Sequence, residues 1–568
     1  MKTHAAELGF AELKAKDHYQ IIERMQRFPG ARYSLIPAAL LAVNVSLPAS
    51  AAEQPKPLLG GWAARLDISS PPAVLRLRVT ETPEHDYTAT AFVNPEPNGL
   101  PALVNRKLIR DGFSWSMAAG EGPNQFRLDI RQTGESFVAT YTVGKSSGQA
   151  QLRRLSNDAA VNKRYTGAYV RSSGEHIYIR RSFAGQLAGT VLSYLDEKTG
   201  RSGILYPAAA NSFVAGPSLD LPDPVGLTVT FKGDPTESLE WKPLGKNGFI
   251  AKKSTSYDRQ DIQIPVPGGL LGCEALIPAG KGKHPGVVLV PGAGGVDRFA
   301  PFYVLADVFA HHGIASLACD KRGTGVSTGD WRYQAFEQQA QDVVEGMRYL
   351  RDRSEVDTSR VGVWAFSQGT YVGPIAASIG NAAFLILVAD FAINLREHVV
   401  ITNVERLRRQ GLPNEEIERY KDYTKRWHQA IMEKDFKTAE RAYQQYEGAS
   451  WLPRNRPVEQ AWTTDWSWDR ARLTWAYQPG PILRTLKMPV FAFWGSEDQQ
   501  APPSLNRAPL EQALRDAGNS DYTLRVIAGA GHELAIEAPL VGIIGYTPEY
   551  IPGMLEWLRT RVPNKLKN

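Results

Sequence analysis

A serine between two small residues, in Ala365-Phe366-Ser367-Gln368-Gly369, stands at the end of an apolar run from Val361 to Phe366. A helix-forming stretch, Thr370 to Ser378, follows it. A serine on a tight strand-to-helix turn presents its hydroxyl at the sheet edge, and small residues two before and two after it let the backbone fold sharply. The pattern here is A-x-S-x-G, and alanine at 365 still leaves little bulk. The helix N-terminus behind Ser367 favours negative charge developing there. The alternative for such a serine is a plain helix N-cap.

A serine hydroxyl is a poor nucleophile until a base takes its proton. His532, in Ile527-Ala-Gly-Ala-Gly-His532-Glu533, follows a predicted strand, Tyr522 to Ile527, through a glycine-bearing loop. That loop would bring its imidazole to the same sheet edge. His311 and His312, at the end of a helix, and His428 read as surface or packing residues. The imidazole needs an acid to hold its tautomer and stabilise its charged form. Asp498, after the apolar strand Val490 to Trp494, is the choice; Glu497 beside it should point elsewhere, and Asp390 is a lesser alternative. Acyl transfer also needs donors for a tetrahedral oxyanion. The glycine-rich Leu289-Val-Pro-Gly-Ala-Gly-Gly295 would supply the N–H of Ala293, and Gln368 the other. A phosphate loop is the competing reading of Gly292 to Gly295, but the Lys-Ser/Thr ending and spacing are missing. This chemistry requires no organic cofactor and no metal.

The elements that must position these groups lie after about residue 262. Apolar runs at Val287–Val290, Ile314–Cys319, Val361–Phe366, Phe384–Ala389 and Val490–Trp494 alternate with amphipathic stretches such as Ala335–Leu350. Uninterrupted apolar strands joined by helices imply an α/β domain, residues 262–565, with a mostly parallel sheet buried on both faces. A polar, Trp-bearing insertion at about 391–480 is mostly helical in pattern and should cap the sheet's C-terminal edge, where ligands bind in open α/β sheets. Its Trp462, Trp466, Trp468 and Trp475 suit either an acyl pocket or helix packing.

Before that domain, period-two alternation points to antiparallel β-rich modules at 58–155 and 160–255. In the first, Leu75, Leu77 and Val79 alternate with Val74, Arg76 and Arg78; the spacing suits a small barrel or sandwich. Gly61-Trp62 and Gly167-Ala168-Tyr169 open the two modules alike, a weak hint of relatedness. The 568 residues suit two to four domains, and 43% apolar with 22% charged residues is an ordinary globular composition. A net charge of +6 with no clustered Lys/Arg gives nucleic acid little support as a partner. Cys273 and Cys319 are the only cysteines, so there is neither a disulfide framework nor a thiolate metal site. Two buried free thiols is the expectation, with pairing open.

The N-terminus carries targeting chemistry. Arg24, Arg27 and Arg32 precede an apolar stretch from Leu35 to Leu47, and small residues follow in Pro48-Ala-Ser-Ala-Ala52-Glu53. This predicts a signal peptide within residues 1–52, cut before Ala52 or Glu53, and export to the periplasm or outside the cell. Glu7, Glu12, Asp17 and Glu23 do not suit the segment before an h-region, so translation is expected to start at Met25. The h-region is too short to span a bilayer and is interrupted by Pro37.

Taken together these residues resemble the α/β-hydrolase superfamily, its exported bacterial esterases in particular. The markers are Pro291-Gly-Ala-Gly-Gly-Val-Asp-Arg298, Asp320-Lys-Arg-Gly-Thr-Gly-Val-Ser327, the Ser367 turn, Trp494-Gly-Ser-Glu-Asp498 and Gly531-His532. Pro291 stands where the family usually has histidine, which alters the support of the oxyanion loop but not its backbone donors. The β-rich half is more loosely similar to that of serine aminopeptidase-like hydrolases. The resemblance implies a carboxylesterase with an acyl-enzyme, acting on a small ester or a short peptide-like substrate. A peptidase with the same residues, or a non-catalytic ligand-binding protein, is the alternative. An amine-binding acidic patch would favour the peptidase, but Glu415, Glu416 and Glu418 read equally as a solvated helix face.

Overall fold

The computed structural model describes residues 58–95, 103–156, 158–185, 187, 189–452 and 466–562. The predicted signal peptide and the start at Met25 lie outside them. Among the described residues no helix is long and apolar enough to cross a membrane.

Eight antiparallel strands between Gly60 and Arg154 close into a barrel, the first pairing with the last. The alternation puts Trp62, Leu75, Leu77, Leu128, Ile130 and Phe137 in its apolar core. Arg76, on the outward register, is nevertheless buried. Its guanidinium lies 3.3 Å from the Tyr206 hydroxyl and 3.0 Å from Asp220, both in the next module. That module is a nine-stranded antiparallel sheet between Gly167 and Lys253. Its two edge strands, Ser202–Ile204 and Tyr206–Ala209, are separated in the chain by Leu205 alone, so the sheet rolls up on itself.

The C-terminal domain holds an eight-stranded sheet. Its strands are β1 (Tyr257–Val266), β2 (Gly269–Pro278), β3 (His284–Val290), β4 (Ala315–Cys319), β5 (Val356–Phe366), β6 (Leu385–Val388), β7 (Val490–Gly495) and β8 (Tyr522–Ile527). The spatial order is β1-β2-β4-β3-β5-β6-β7-β8. The first two are antiparallel and β3 to β8 run parallel, crossing over through helices on both faces. Those helices include α1 (Val304–His311), α2 (Phe336–Arg351) and α3 (Gly369–Ile379). The central strands β3, β6 and β7 are buried at every residue, as unbroken apolar runs demand when both faces are covered. Between β6 and β7 the insertion forms α4 (Leu395–Arg409), α5 (Asn414–Glu433), α6 (Phe436–Gln445) and α7 (Trp466–Trp475). Trp427, Tyr443, Trp468 and Trp475 pack together in the core of this cap. Two of the four candidate pocket tryptophans, Trp468 and Trp475, are thus packing residues. Trp462 and the Trp466 side chain lie outside the described residues.

Cys273 and Cys319 are not free thiols. They face each other in the antiparallel β2–β4 register and form a disulfide. Their 46-residue separation hides a pairing that only the sheet register creates.

The middle sheet and the C-terminal domain share one core, since Ala168, Tyr178 and Leu195 join the cluster built on β3 to β7. A charged network crosses the same boundary. Arg180 donates to Asp307 at 2.7 Å and to the Arg298 carbonyl at 2.8 Å, and forms an ion pair with Glu274 at 2.8 Å. Arg259 pairs with the same two carboxylates. Arg180, Glu274 and Asp307 are each at most 1% exposed. Burial opposes ionisation of Glu274, but Arg180 and Arg259 overcome it and hold the carboxyl down at about 2. After β8 comes a hairpin of strands Ala535–Ala538 and Gly542–Tyr546. The Leu219 N–H donates to the Ile543 carbonyl at 2.7 Å and the Tyr546 N–H to the Gly200 carbonyl at 2.9 Å. Ser70 of the barrel donates to Pro539 at 3.1 Å.

Candidate active site

Ser367 lies between β5 and α3 with φ +53°, a left-handed conformation that a serine adopts only when its surroundings enforce it. Its N–H donates to Val388 of the neighbouring strand at 2.9 Å. Its carbonyl receives the Thr370 N–H at 2.8 Å and the Thr370 hydroxyl at 2.7 Å. Gly369 is required: a Cβ there would sit 2.6 Å from the Pro291 carbonyl oxygen and 2.8 Å from that of Val290. The unusual Ala365 is accommodated by Gly373 one turn into α3, where a Cβ would come within 2.7 Å of the alanine methyl.

His532 and Asp498 reach the same edge from the ends of β8 and β7. Their loops are joined by main chain. Glu497 donates to Ala530 at 3.0 Å, and Ser496 to Ile527 at 2.9 Å. The Ser496 hydroxyl accepts the Gly529 N–H at 2.9 Å. His532 Nε2 lies 2.9 Å from Ser367 Oγ, and its Nδ1 lies 2.9 and 3.1 Å from the two Asp498 oxygens. An Nδ1–H directed at Asp498 leaves Nε2 able to accept the serine proton. Asp498 also accepts the N–H groups of Gln500 and Ala501, each at 2.8 Å. Burial resists ionisation of Asp498, but the adjacent His532 and these donors outweigh it, so the carboxyl sits below its usual range. Asp498 and His532 are buried while Glu497 is exposed. Phe366 and Phe391 stand by the imidazole, with ring centroids 5.2 and 6.4 Å away. Asp390 is fully enclosed and is not on His532. Burial pushes its carboxyl up to about 7.

The loop of Gly292 to Gly295 lies against the serine, for a Cβ on Gly292 would be 3.1 Å from the Ser367 Cβ. Among the described residues no main-chain acceptor is seen in the turns and loops for the N–H groups of Ala293 and Gln368. Two further residues at this loop escape a reading of the sequence. Lys321 donates to the Gly292 carbonyl at 2.5 Å. Its burial drives the ammonium well below its normal pKa, with the nearby Arg470 adding to the effect. Arg470, from the cap, donates to the Gln368 side chain at 2.6 Å and lies over Trp331, 4.6 Å from the ring centre. Lys321 belongs to the Asp320–Ser327 marker and could have been noticed there; nothing local singles out Arg470. The rest of that marker is a brace. Asp320 accepts the Arg298 N–H at 2.7 Å, and Ser327 bonds the Asp320 carbonyl and the Gly272 N–H at 2.9 Å each.

Residues 287–543 match the alpha/beta hydrolase family. The C-terminal domain has the alpha/beta hydrolase fold. The chain also matches an uncharacterized 31.7 kDa protein of Escherichia coli, 29% identical over 93 residues. That match covers 16% of this chain and 32% of the other, so the chain spans about a third of the curated relative. Similar solved structures include an esterase of Pyrococcus furiosus, with 17% identity and a TM-score of 0.37 over 54% of this chain and 92% of that one. An acetyl xylan esterase from Paenibacillus has 17% identity and a TM-score of 0.35 over 60% of this chain and 89% of that one. A ferulic-acid-bound protein from Butyrivibrio proteoclasticus has 13% identity and a TM-score of 0.35, covering 53% and 100%.

Proposed function

We propose that the protein is a serine esterase acting on small carboxylic esters through an acyl-enzyme. The observation that carries this is the imidazole of His532, within hydrogen-bond reach of the Ser367 hydroxyl on one side and of the Asp498 carboxylate on the other. Ser367 Oγ bonds to the ester carbonyl carbon as its proton passes to His532 Nε2. Asp498 steadies the imidazolium. The N–H groups of Ala293 and Gln368 receive the oxyanion. When the tetrahedral species collapses, the C–O bond to the alcohol breaks and the alcohol takes the proton from His532. Water then adds to the acyl group, giving its proton to His532, and collapse frees the acid and restores Ser367. No metal or organic cofactor enters these steps.

A fluorophosphonate probe tests the nucleophile. It should label the wild type and leave Ser367→Ala unlabelled; equal labelling of the two would end the proposal. A panel of p-nitrophenyl esters and aminoacyl-p-nitroanilides then separates esterase from peptidase. Two of the three cap acids that could bind a substrate amine are already paired. Glu416 and Glu418 are engaged by Arg419 and Lys421 of their own helix.

We also infer export. The basic and apolar N-terminal segments support it, and so does the Cys273–Cys319 disulfide, a bond that persists in oxidising compartments. Cell fractionation with N-terminal sequencing of the mature protein should find it outside the cytoplasm, beginning at Ala52 or Glu53. A cytoplasmic protein retaining residues 1–24 refutes this.

A further inference from the structure

Far along the chain from the serine site, three imidazoles and a carboxylate meet where the middle sheet abuts the hydrolase domain. His176 lies on the strand His176–Phe183, and Glu197 in the turn after the strand Thr190–Asp196. His312 caps the C-terminus of α1. His176 Nδ1 is 2.9 Å from Glu197 Oε2, and His312 Nε2 is 2.8 Å from Glu197 Oε1. One ligand atom from each of the three residues lies within 4.8 Å of the others. We propose that His176, Glu197 and His312 bind one divalent cation of the zinc type, which clamps the middle sheet to the hydrolase domain.

Two imidazoles and one carboxylate are borderline-soft nitrogen and hard oxygen donors, a set that suits zinc and leaves a fourth tetrahedral position for water. The backbone holds the ligands in place. The Glu197 N–H donates to the His176 carbonyl at 3.0 Å, and the His312 N–H to Val308 at 3.1 Å. A second layer orients the carboxylate, since the Tyr178 hydroxyl donates to Glu197 Oε2 at 2.8 Å. Such outer partners fix the ligands of bound metals.

The charge pattern also favours a cation. Both Glu197 carboxylate oxygens face an imidazole nitrogen, Oε2 toward His176 and Oε1 toward His312. The third imidazole, His311, lies tilted against His176 with ring centres 4.0 Å apart and is held by the Ser256 hydroxyl at 2.7 Å. The two ring nitrogens facing Glu197 need protons to bond it. A single divalent ion replaces both protons and releases any excess.

The test uses the full chain, stripped with EDTA and titrated with ZnCl2 by calorimetry and thermal unfolding. One zinc per chain should bind with a rise in the unfolding midpoint. His312→Gln, at a part-exposed position, should weaken binding by at least about tenfold, since even outer partners of a metal are worth that much. Binding undiminished in His312→Gln, or no stoichiometric zinc in the wild type, overturns the proposal. X-ray absorption on the zinc-loaded wild type provides a check that needs no variant. Imidazole scattering from two ligands is expected, and an all-water shell refutes the site. Neither readout depends on ester turnover.

Discussion

Replacing Asp498 with asparagine changes one atom and should remove nearly all turnover. The carboxylate accepts from three donors: His532 Nδ1–H reaches both oxygens, and the Gln500 and Ala501 N–H groups bind Oδ1. An asparagine that keeps its carbonyl oxygen on the two backbone donors places its NH2 where Oδ2 was, 2.9 Å from His532 Nδ1. Facing the nearer NH2 rather than the carbonyl oxygen at 3.1 Å, Nδ1 is expected to accept, so that the ring proton moves to Nε2 and points at Ser367. A base already protonated on that nitrogen cannot take the serine proton. The same tautomer error in serine proteases costs about 10⁴ in kcat, equivalent to about 5.4 kcal/mol of barrier. The loop should survive, because both backbone bonds do. Initial rates with a p-nitrophenyl ester, alongside circular dichroism of the variant, measure the effect. A folded Asp498→Asn enzyme that loses less than tenfold would refute this assignment of the acid, and Asp390 would be the next residue to test.

Other perturbations probe the frame. Arg180→Met strands two buried carboxylates with Arg259 alone and should destabilise the junction by about 3–5 kcal/mol, read by urea unfolding. A loss below about 1 kcal/mol contradicts the network's role. Asp390 has a folded-state pKa of about 7 against 3.8 for an exposed carboxyl, so the folded chain holds a proton that the unfolded chain has released between those values. Its contribution therefore erodes stability as pH rises through that window, by about 1.4 kcal/mol per unit at most. Asp390→Asn should flatten the decline in unfolding midpoint from pH 4 to pH 7 (approximate bounds of the same window), and an unchanged profile contradicts the shift. Lys321→Met frees the Gly292 carbonyl and should lower kcat about tenfold with little change in KM, less than the loss of an oxyanion donor itself. An equal loss in binding of an unreactive ester analogue would instead make Lys321 a substrate contact.

The serine turn is legible in the sequence because everything that makes it, the strand, the small residues and the helix, lies within about ten positions of the chain. Asp498 and His532 are legible for a related reason: each follows an apolar strand whose place in a parallel sheet dictates the edge it reaches. What stayed hidden depends on register or on contact between modules. Cys273 and Cys319 pair only because β2 lies beside β4. Arg76 looked like an outward strand residue until a second module covered it. His312 read as a helix-end surface residue because its partners, His176 and Glu197, belong to another sheet. Arg470 reaches Gln368 only by way of the cap's return path over the sheet edge.

The hairpin that follows His532 has a consequence for anyone wishing to shorten the protein. Its outer strand is tied by main chain to Gly200 and Leu219, and its tip touches Ser70, so the platform beneath the proton-carrying ring is assembled from three stretches of polypeptide. A fragment starting at Tyr257 would keep every reacting group yet lose the abutment on that side. A fragment that also includes the rolled sheet from before Gly167 is therefore expected to hold that loop more firmly than one starting at Tyr257.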